Sequence, residues 1–275
     1  PTAINYPERR PFFNRGIDVL DYTMDVFYSR SINNPSFASK VLNQGRKSRI
    51  YMLTAIDQDS PYLVPTQFES YSGVGGKSFN NILRYQNIIN PNIQLGALAT
   101  NRLYKGDAYG NLIGLDGLFK FSGGWKFELE YFRNSNKEPI SDWIDSNKKF
   151  GDYTVNLDGE SFSGNALYSE LRRDTNNWRS FLRYTGISPT FRADNGFIVQ
   201  NDLKKYEIWH GLYKYPDKKL LRNYRISARY DREYNYSNKL KRSAFEAYFT
   251  VLTILNTDIF YNYEFAFYDS HLASE

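Results

Sequence analysis

The chain has 275 residues, a modest net charge of +5 and no cysteine. The absence of cysteine excludes disulfide frameworks, iron–sulfur clusters and thiolate zinc sites, and two histidines leave little room for a histidine metal centre. Aromatic residues make up 17% of the chain, which is too rich for a disordered protein. The basic residues are dispersed, so the sequence predicts no nucleic-acid partner.

From about residue 25 onward, apolar and polar residues alternate with a period of two, which is the period of a β-strand. A transmembrane helix is not expected, because no run of 18 apolar residues occurs. The alternation predicts about twelve strands. They lie near 25–32, 48–57, 77–89, 93–104, 110–122, 125–135, 162–173, 177–187, 204–215, 220–236, 240–253 and 258–269.

The connections between these strands alternate in length. Short turns rich in Gly, Asn, Asp and Pro, such as 123–124 and 174–176, alternate with long polar stretches at 58–76, 136–161 and 188–203. Outer-membrane barrels have short turns on one rim and long loops on the other. A soluble β-sandwich can also mix loop lengths, so this pattern supports a barrel without being specific to one.

Strand length and tyrosine placement favour the barrel over the sandwich. Several predicted strands have 10 to 16 residues, whereas a globular strand usually has about 5–6. Tyrosines lie towards the strand ends, as expected where lipid meets headgroups. We therefore predict an all-β, antiparallel, up-and-down transmembrane β-barrel. Residues 1–24 form a segment at its periplasmic mouth, and residues 25–275 form the barrel.

One stretch of the chain resembles a known family. Residues 7–13 read Pro-Glu-Arg-Arg-Pro-Phe-Phe, and residues 27–32 read Phe-Tyr-Ser-Arg-Ser-Ile. This resembles an outer-membrane barrel domain of unknown function from Gram-negative bacteria, in which a PEKRPFF motif precedes a FYSRRIG first strand. Weaker matches keep the same order as far as about residue 205. In that family the barrel usually follows a family-nine-type carbohydrate-binding sandwich.

The chain also departs from that family. Asn14-Arg15 stands where the family tends to have Leu-Glu, and Ser31 replaces an arginine. The carbohydrate-binding sandwich and the C-terminal aromatic strand of such barrels are missing from this sequence. We therefore expect it to be a piece of a longer protein, with a barrel larger than the strands read here.

If the clearest strands span a membrane, their charged residues point into the barrel lumen. The predicted lumen-facing residues are Lys126, Glu128, Glu130, Arg179, Arg183, Arg225, Arg229, Asp231 and Glu233. Buried charges must be paired or hydrated, since each would otherwise cost several kcal/mol, on the order of 3–5. This favours a wide wet lumen or a polar plug docked against it.

Candidate chemistry elsewhere is weak. Aromatic residues in the loop 136–161, namely Trp143, Phe150 and Tyr153, are candidates for stacking on sugar rings. The glycines at 73–76 lack the spacing of a phosphate loop. Clustered acidic residues in 142–160 lack calcium-loop spacing, and no serine elbow accompanies His210. We predict no catalytic residue, no metal and no cofactor.

The sequence thus predicts a non-enzymatic barrel in the bacterial outer membrane with a transport or cell-surface assembly role. Its expected partners are outer-membrane lipid, a surface lipoprotein or plug, and a glycan. One alternative is a structural barrel with a closed lumen that docks a partner. Another is a cell-surface hydrolase that acts on glycans or peptides through loop carboxylates.

Overall fold

The computed structural model describes residues 7–216, 221–253 and 258–268. The first strands are β1 (Pro35–Gln44), β2 (Ser48–Asp57), β3 (Pro61–Pro65), β4 (Ser70–Val74), β5 (Ser78–Asn90), β6 (Ile93–Tyr104), β7 (Tyr109–Phe121), β8 (Trp125–Lys137) and β9 (Ile140–Ser141). The others are β10 (Lys149–Phe150), β11 (Tyr153–Thr154), β12 (Leu157–Asp158), β13 (Ser161–Asp174), β14 (Trp178–Ile187), β15 (Leu203–Lys214), β16 (Leu221–Tyr234), β17 (Leu240–Thr253) and β18 (Asp258–Tyr268). Within these described ranges, helix is confined to α1 (Pro11–Asn14) and three 3-10 turns, at Ile17–Leu20, Ser29–Ser31 and Ser122–Gly124.

Twelve of these strands form one large antiparallel sheet. Its order is β1-β2-β5-β6-β7-β8-β13-β14-β15-β16-β17-β18, which follows the chain apart from inserted strand pairs. Those pairs, β3-β4, β9-β12 and β10-β11, lie within the stretches 58–76 and 136–161 that the sequence marked as long loops. The all-β antiparallel prediction is confirmed. Among the described residues β1 and β18 are edge strands and no pairing closes the sheet.

The prediction of a strand near 25–32 is wrong. This stretch is irregular and contains the 3-10 turn Ser29–Ser31, while the first strand is β1, which the sequence analysis did not find. Phe27 and Ile32 are both buried, and the Tyr28 amide donates to the Asn195 carbonyl (2.8 Å) rather than to a strand. β1 was missed because its buried-side positions mix Ala38, Lys40 and Leu42, which hides the alternation.

The chain divides into two compact units. The first unit comprises the described residues of Pro1–Leu118, Leu129–Tyr168 and Gly186–Leu203. The second comprises those of Phe119–Glu128, Ser169–Thr185 and Lys204–Glu275. The strands of the large sheet are long, with 10 to 14 residues each, in agreement with the expected strand length.

Candidate functional site

In both units the large sheet carries bulky apolar side chains on an exposed face. In the first unit this face includes Met52, Leu83, Ile113 and Leu115, and Leu115 is 64% exposed. In the second unit it includes Leu182, Tyr206, Ile208, Leu212, Ile226, Tyr230, Phe245, Phe249, Ile259, Tyr261, Tyr263 and Phe265. Monomeric soluble proteins rarely expose continuous apolar patches beyond about 300–600 Å². This face is therefore suited to apolar surroundings.

The opposite, buried face of the first unit is covered by two irregular segments of the same unit. We call them the N-terminal segment (residues 7–34) and the covering loop (residues 188–203). Together with alternate strand residues they form one apolar core. Its members include Phe13, Val19, Leu20, Met24, Val26, Phe27, Ile32, Tyr51, Leu53, Ile82, Leu98, Leu112, Phe132, Tyr168, Phe191 and Ile198.

Buried charges on the strands hold the backbone of the N-terminal segment. Arg84 of β5 donates from Nε to the carbonyl of Val19 (3.1 Å) and forms a bidentate pair with Asp116. Glu130 of β8 accepts the amides of Thr23 (2.8 Å) and Met24 (3.2 Å). A charged group strengthens such hydrogen bonds, so the segment is fixed at its centre by an arginine and a glutamate.

Arg102 of β6 connects both segments to the sheet. Its side chain is fully buried, and its two terminal nitrogens donate to the carbonyls of Asp194 (2.7 Å) and Ser31 (2.9 Å). The buried Asp57 of β2 accepts the amides of residues 33 and 34 at 2.9 and 2.6 Å. The positive and negative charges thus satisfy backbone groups that would otherwise be buried without partners.

The Pro-Glu-Arg-Arg motif folds the N-terminal segment onto itself. Arg10 donates to the carbonyls of Ile32 (2.7 Å) and Ser29 (3.0 Å), and Ser29 Oγ donates to Glu8 Oε2 (2.6 Å). Glu8 also forms an ion pair with Arg10 (2.8 Å). Burial alone would raise the pKa of Glu8, but the hydrogen bonds from Arg10 and Ser29 outweigh it and lower the pKa to about 2. The motif therefore joins the two ends of this segment.

A second buried polar cluster lies beneath the covering loop. Arg192 donates to Glu138 Oε1 (2.6 Å) and to Asp194 Oδ1 (3.1 Å), and its guanidinium lies 4.8 Å from the ring centre of Tyr62. Burial raises the pKa of Glu138 to about 7, although Arg192 opposes the shift. Burial also raises the pKa of Tyr62 well above its ordinary value.

Carboxylate oxygens of Glu138, Asp158 and Glu160 lie within 4.8 Å of one another, which is a spacing that a cation could bridge. Protein groups already engage all three side chains. Thr154 donates to Asp158 (3.1 Å) and Glu160 (2.9 Å), and Arg192 holds Glu138. The other carboxylate oxygen of Glu138, Oε2, is buried without a hydrogen-bond partner among the described residues, so these contacts do not satisfy the whole cluster.

The loop aromatics predicted to stack on sugars belong to a small core of the first unit. Phe150 is only 2% exposed, and Trp143 and Tyr153 pack against the same cluster. A ligand could not reach the faces of the Phe150 ring in this conformation. The glycines at 73–76 lie against Trp143, and a Cβ on Gly73 would be 2.7 Å from its carbonyl oxygen. Those glycines therefore serve close packing, which the sequence analysis did not foresee.

The buried face of the second unit carries a chain of ion pairs. Glu170 accepts hydrogen bonds from Arg172 (2.7 Å) and Arg183 (2.6 Å). Arg183 continues to Glu207 (3.4 Å), which also binds Arg229. The chain extends to the fully buried Asp231, which pairs with Arg229 (3.8 Å) and with Arg242, and Arg242 reaches Glu246 (3.9 Å). We call this set, from Glu170 to Glu246, the charge ladder.

The predicted lumen-facing residues fall into different groups. Arg183, Arg229 and Asp231 belong to the charge ladder, whereas Glu130 binds the N-terminal segment in the first unit. The remaining five make local contacts. Lys126 pairs with Glu128 (2.7 Å), Glu233 pairs with Lys241 (3.5 Å), and the Arg179 and Arg225 guanidinium groups lie 4.9 and 6.0 Å from the Tyr213 ring centre. Their orientation towards a lumen stays a prediction.

His210 lies beside a serine and a tryptophan on the exposed face of the second unit. His210 Nδ1 is 2.7 Å from Ser180 Oγ and 3.0 Å from Trp178 Nε1. Among the described residues no carboxylate contacts the ring, so the Ser-His-Asp arrangement that activates a serine is not assembled there.

The sequence analysis missed Asp57, Arg84, Arg102 and Asp116, which anchor the N-terminal segment. A signal for them exists. Each is a charged residue at a buried-side position of its strand, where a lone charge would be costly without a fixed partner. The alternation shows that these four residues face the buried side, but it does not show which group each of them binds.

No helix among the described residues is both long and apolar enough to cross a membrane. Comparisons with protein-family models, with curated proteins and with solved structures found no match to this chain. Function is therefore inferred from the arrangement of the chain's own side chains.

Proposed function

We propose that this chain is an outer-membrane β-barrel domain with a transport or cell-surface assembly role. The observation that carries the proposal is that the large sheet exposes bulky apolar side chains in both units, while its opposite face buries charged ones, together with an apolar core in the first unit. A membrane β-barrel presents apolar residues to lipid and polar residues to its interior. In a soluble sandwich the apolar face is the one that packs into the core.

The membrane assignment also sets a requirement on the hydrogen bonding of the sheet. A sheet in lipid must have no open edge, because unpaired backbone groups cannot find water there. The edge strands β1 and β18 would pair with each other or with further strands of a longer protein. The alternation of short turns and long connections fits a barrel with a periplasmic rim and an extracellular rim.

The N-terminal segment would act as a plug on the interior face of this barrel. Its backbone is held by polar, directional contacts to Arg84, Arg102 and Glu130, and its apolar side chains pack in the core of the first unit. Displacement of the segment would uncover a charged passage, through which a polar solute or an assembling surface glycan could move.

Planar-bilayer conductance of the full chain tests this function. Wild type is expected to insert and to conduct weakly, whereas a variant with Arg102→Ala and Glu130→Ala, which unseats the plug, should conduct several-fold more. Lys126→Ala is the matched control, since among the described residues Lys126 pairs with Glu128 and not with the plug. Failure to insert into bilayers or vesicles would refute the membrane assignment.

A second candidate is a structural barrel with a closed interior that docks a surface lipoprotein or another partner. The buried face is filled by the plug in the first unit and by the charge ladder in the second. This filling favours a barrel with a closed interior. Insertion without conductance in wild type and in the unplugged variant would select this role over transport.

We also propose that the chain is not itself an enzyme; the rival is a surface hydrolase that uses loop carboxylates. Glu138, with its raised pKa, is the best candidate for the acid in that rival. Glu138→Gln, assayed on polysaccharides and peptides beside wild type, separates the two. Turnover by wild type that the variant loses while remaining folded would establish the enzyme.

A further inference from the structure

An arginine is stacked between two tryptophans on the exposed face of the second unit. The Arg173 guanidinium carbon lies 4.2 Å from the ring centre of Trp178 and 5.6 Å from that of Trp125. Arg173 Nε donates to the carbonyl of Gly123 (3.2 Å) in the β7–β8 turn. Both tryptophans are more than one third exposed. The hydrogen bond and the two rings therefore fix the direction of a guanidinium that remains open to a ligand.

The charge on this exposed face has one sign. In the described part of the second unit, every charged strand residue on this exposed face is basic. These residues lie towards the strand ends. They are Arg173, Lys204, Lys214, Arg222 and Arg232. The carboxylates of the same strands, such as Glu170, Glu207 and Asp231, belong to the buried face. A face that is apolar at its centre and basic at its margins complements a lipid layer with phosphate headgroups.

The local contacts of Arg173 also leave donors for a phosphate. Its hydrogen bond to the Gly123 carbonyl uses Nε, and no ion pair engages it among the described residues, although Asp174 is its neighbour in the chain. The terminal nitrogens of a guanidinium bind phosphate oxygens through paired hydrogen bonds. Tryptophan rings prefer the depth of the lipid headgroups, which places a phosphate within reach of the arginine between them.

We infer that Trp125, Arg173 and Trp178 form a binding site for the phosphate headgroup of a glycerophospholipid. The inference rests on the membrane location proposed above and adds a defined lipid contact at the short-turn end of β7, β8, β13 and β14. Arg173 would bind the phosphate while the two indole rings lie against the glycerol and the first acyl carbons. The simpler alternative is a cation–π contact that only joins neighbouring strands.

Lipid titration of the full chain in detergent, with bound lipids counted by native mass spectrometry, tests the site. Phosphatidylglycerol is the probe, and diacylglycerol is the matched lipid without phosphate. We expect Arg173→Gln to weaken the tightest phosphatidylglycerol binding about tenfold, in line with the loss of a charged hydrogen-bonded pair. Arg173→Lys keeps the charge but loses the paired donors of the guanidinium, so its lipid affinity should lie between those of wild type and Arg173→Gln. Arg232→Gln is the control, because Arg232 is exposed on the same face without flanking tryptophans.

Equal lipid affinity for Arg173→Gln and Arg232→Gln would overturn the proposed headgroup site. The contact of Arg173 with the two tryptophans would then be purely structural. Displacement of the lipid by millimolar inorganic phosphate would overturn the lipid assignment in favour of a free anion. Flotation with vesicles separates the two proposals. If wild type does not float, both fail; if it floats but the variants bind lipid alike, only the headgroup site fails. Trp178→Phe, expected to cost several-fold in affinity, provides a test if Arg173→Gln does not fold.

Discussion

The two units bury charge in different ways on strands of similar pattern. In the first unit, charged side chains such as Arg102 and Glu130 bind backbone groups of a segment that covers the strands. In the second unit, charged side chains such as Glu207 and Arg229 bind one another along the charge ladder. The first arrangement fixes a particular chain segment in one place, whereas the second satisfies charges without specifying any covering segment.

This difference has an energetic consequence. A fully buried arginine that holds two carbonyls has no alternative partner if a contact is lost, so its removal leaves unsatisfied groups. The ladder residues Arg183, Arg229 and Arg242 are 21 to 32% exposed in their side chains, so water can replace a lost partner. Substitutions in the first unit should therefore be more costly than matched ones in the second.

The largest expected effect is that of Arg102→Ala. It leaves the Ser31 and Asp194 carbonyls and the buried Asp57 without their cation, which should lower the free energy of unfolding by about 3–5 kcal/mol. Arg229→Ala in the second unit should cost less, about 1–2 kcal/mol, because Glu207 keeps Arg183 and Asp231 keeps Arg242 as partners. Urea unfolding in detergent measures both. Equal losses would contradict the distinction between the two units.

A smaller effect is expected from glycines that meet a neighbouring segment. A Cβ on Gly164 would lie 2.5 Å from the Phe191 amide nitrogen, so Gly164→Ala must displace the covering loop at about 1–3 kcal/mol. In the second unit, a Cβ on Gly211 would meet movable side chains, the Trp209 ring at 2.6 Å and the Tyr213 ring at 3.3 Å. Gly211→Ala should therefore cost less than about 1 kcal/mol, since an indole can rotate away. Thermal unfolding of the two variants gives the comparison, and a greater loss for Gly211→Ala would refute it.

Glu130→Gln tests only the contact between Glu130 and the N-terminal segment. The amide side chain keeps one acceptor but loses the charge that strengthens the bonds from Thr23 and Met24, so these two amides should exchange about tenfold faster with solvent. Glu128→Gln, on the same strand but in the second unit, should leave their exchange unchanged. Hydrogen exchange followed by mass spectrometry measures the exchange of these amides in both variants. Unchanged protection in Glu130→Gln would show that apolar packing alone holds the segment.

The smallest effect concerns pH. The pKa of Glu8 is lowered to about 2 in the folded chain, below its ordinary 4.5, so its contribution is complete above about pH 4.5 and is lost as the pH falls towards 2. We expect a loss of about 1–2 kcal/mol, less than the full pKa difference implies, because solvent screens the pair with Arg10. Pepsin cleavage near Phe12 and Phe13 should accelerate across this range in wild type. In Glu8→Gln the cleavage should already be fast at pH 4.5, and parallel profiles would contradict the role of Glu8.

Much of the large sheet could be predicted from the sequence, because strand alternation is a local property of the chain. The segment 222–236 shows the reason. Ile226 and Tyr230 alternate with Ser227 and Asp231 in the sequence, and the structure exposes the first pair and buries the second. Neighbouring side chains point to opposite faces whatever the rest of the protein does. The strands from 48–57 onward were located for this reason.

The N-terminal segment and the loops could not be predicted in the same way. The stretch 25–32 has strand-like residues, but its backbone binds Arg10, Arg102 and the covering loop instead of a neighbouring strand. Arg102 and Ser31 are 71 positions apart in the chain, and Arg102 and Asp194 are 92 apart. No local period encodes such contacts.

The sequence by itself determined which strand residues share a face and which of the two faces carries the charged residues, because the pleat assigns alternate residues to opposite sides. Only the tertiary structure decided what lies on the charged face: the N-terminal segment over Arg84, Arg102 and Glu130 in the first unit, and the charge ladder in the second. The physical reason is that a buried charge requires a partner, and several partners can satisfy that requirement equally well. Which partner is present depends on where distant parts of the chain come together.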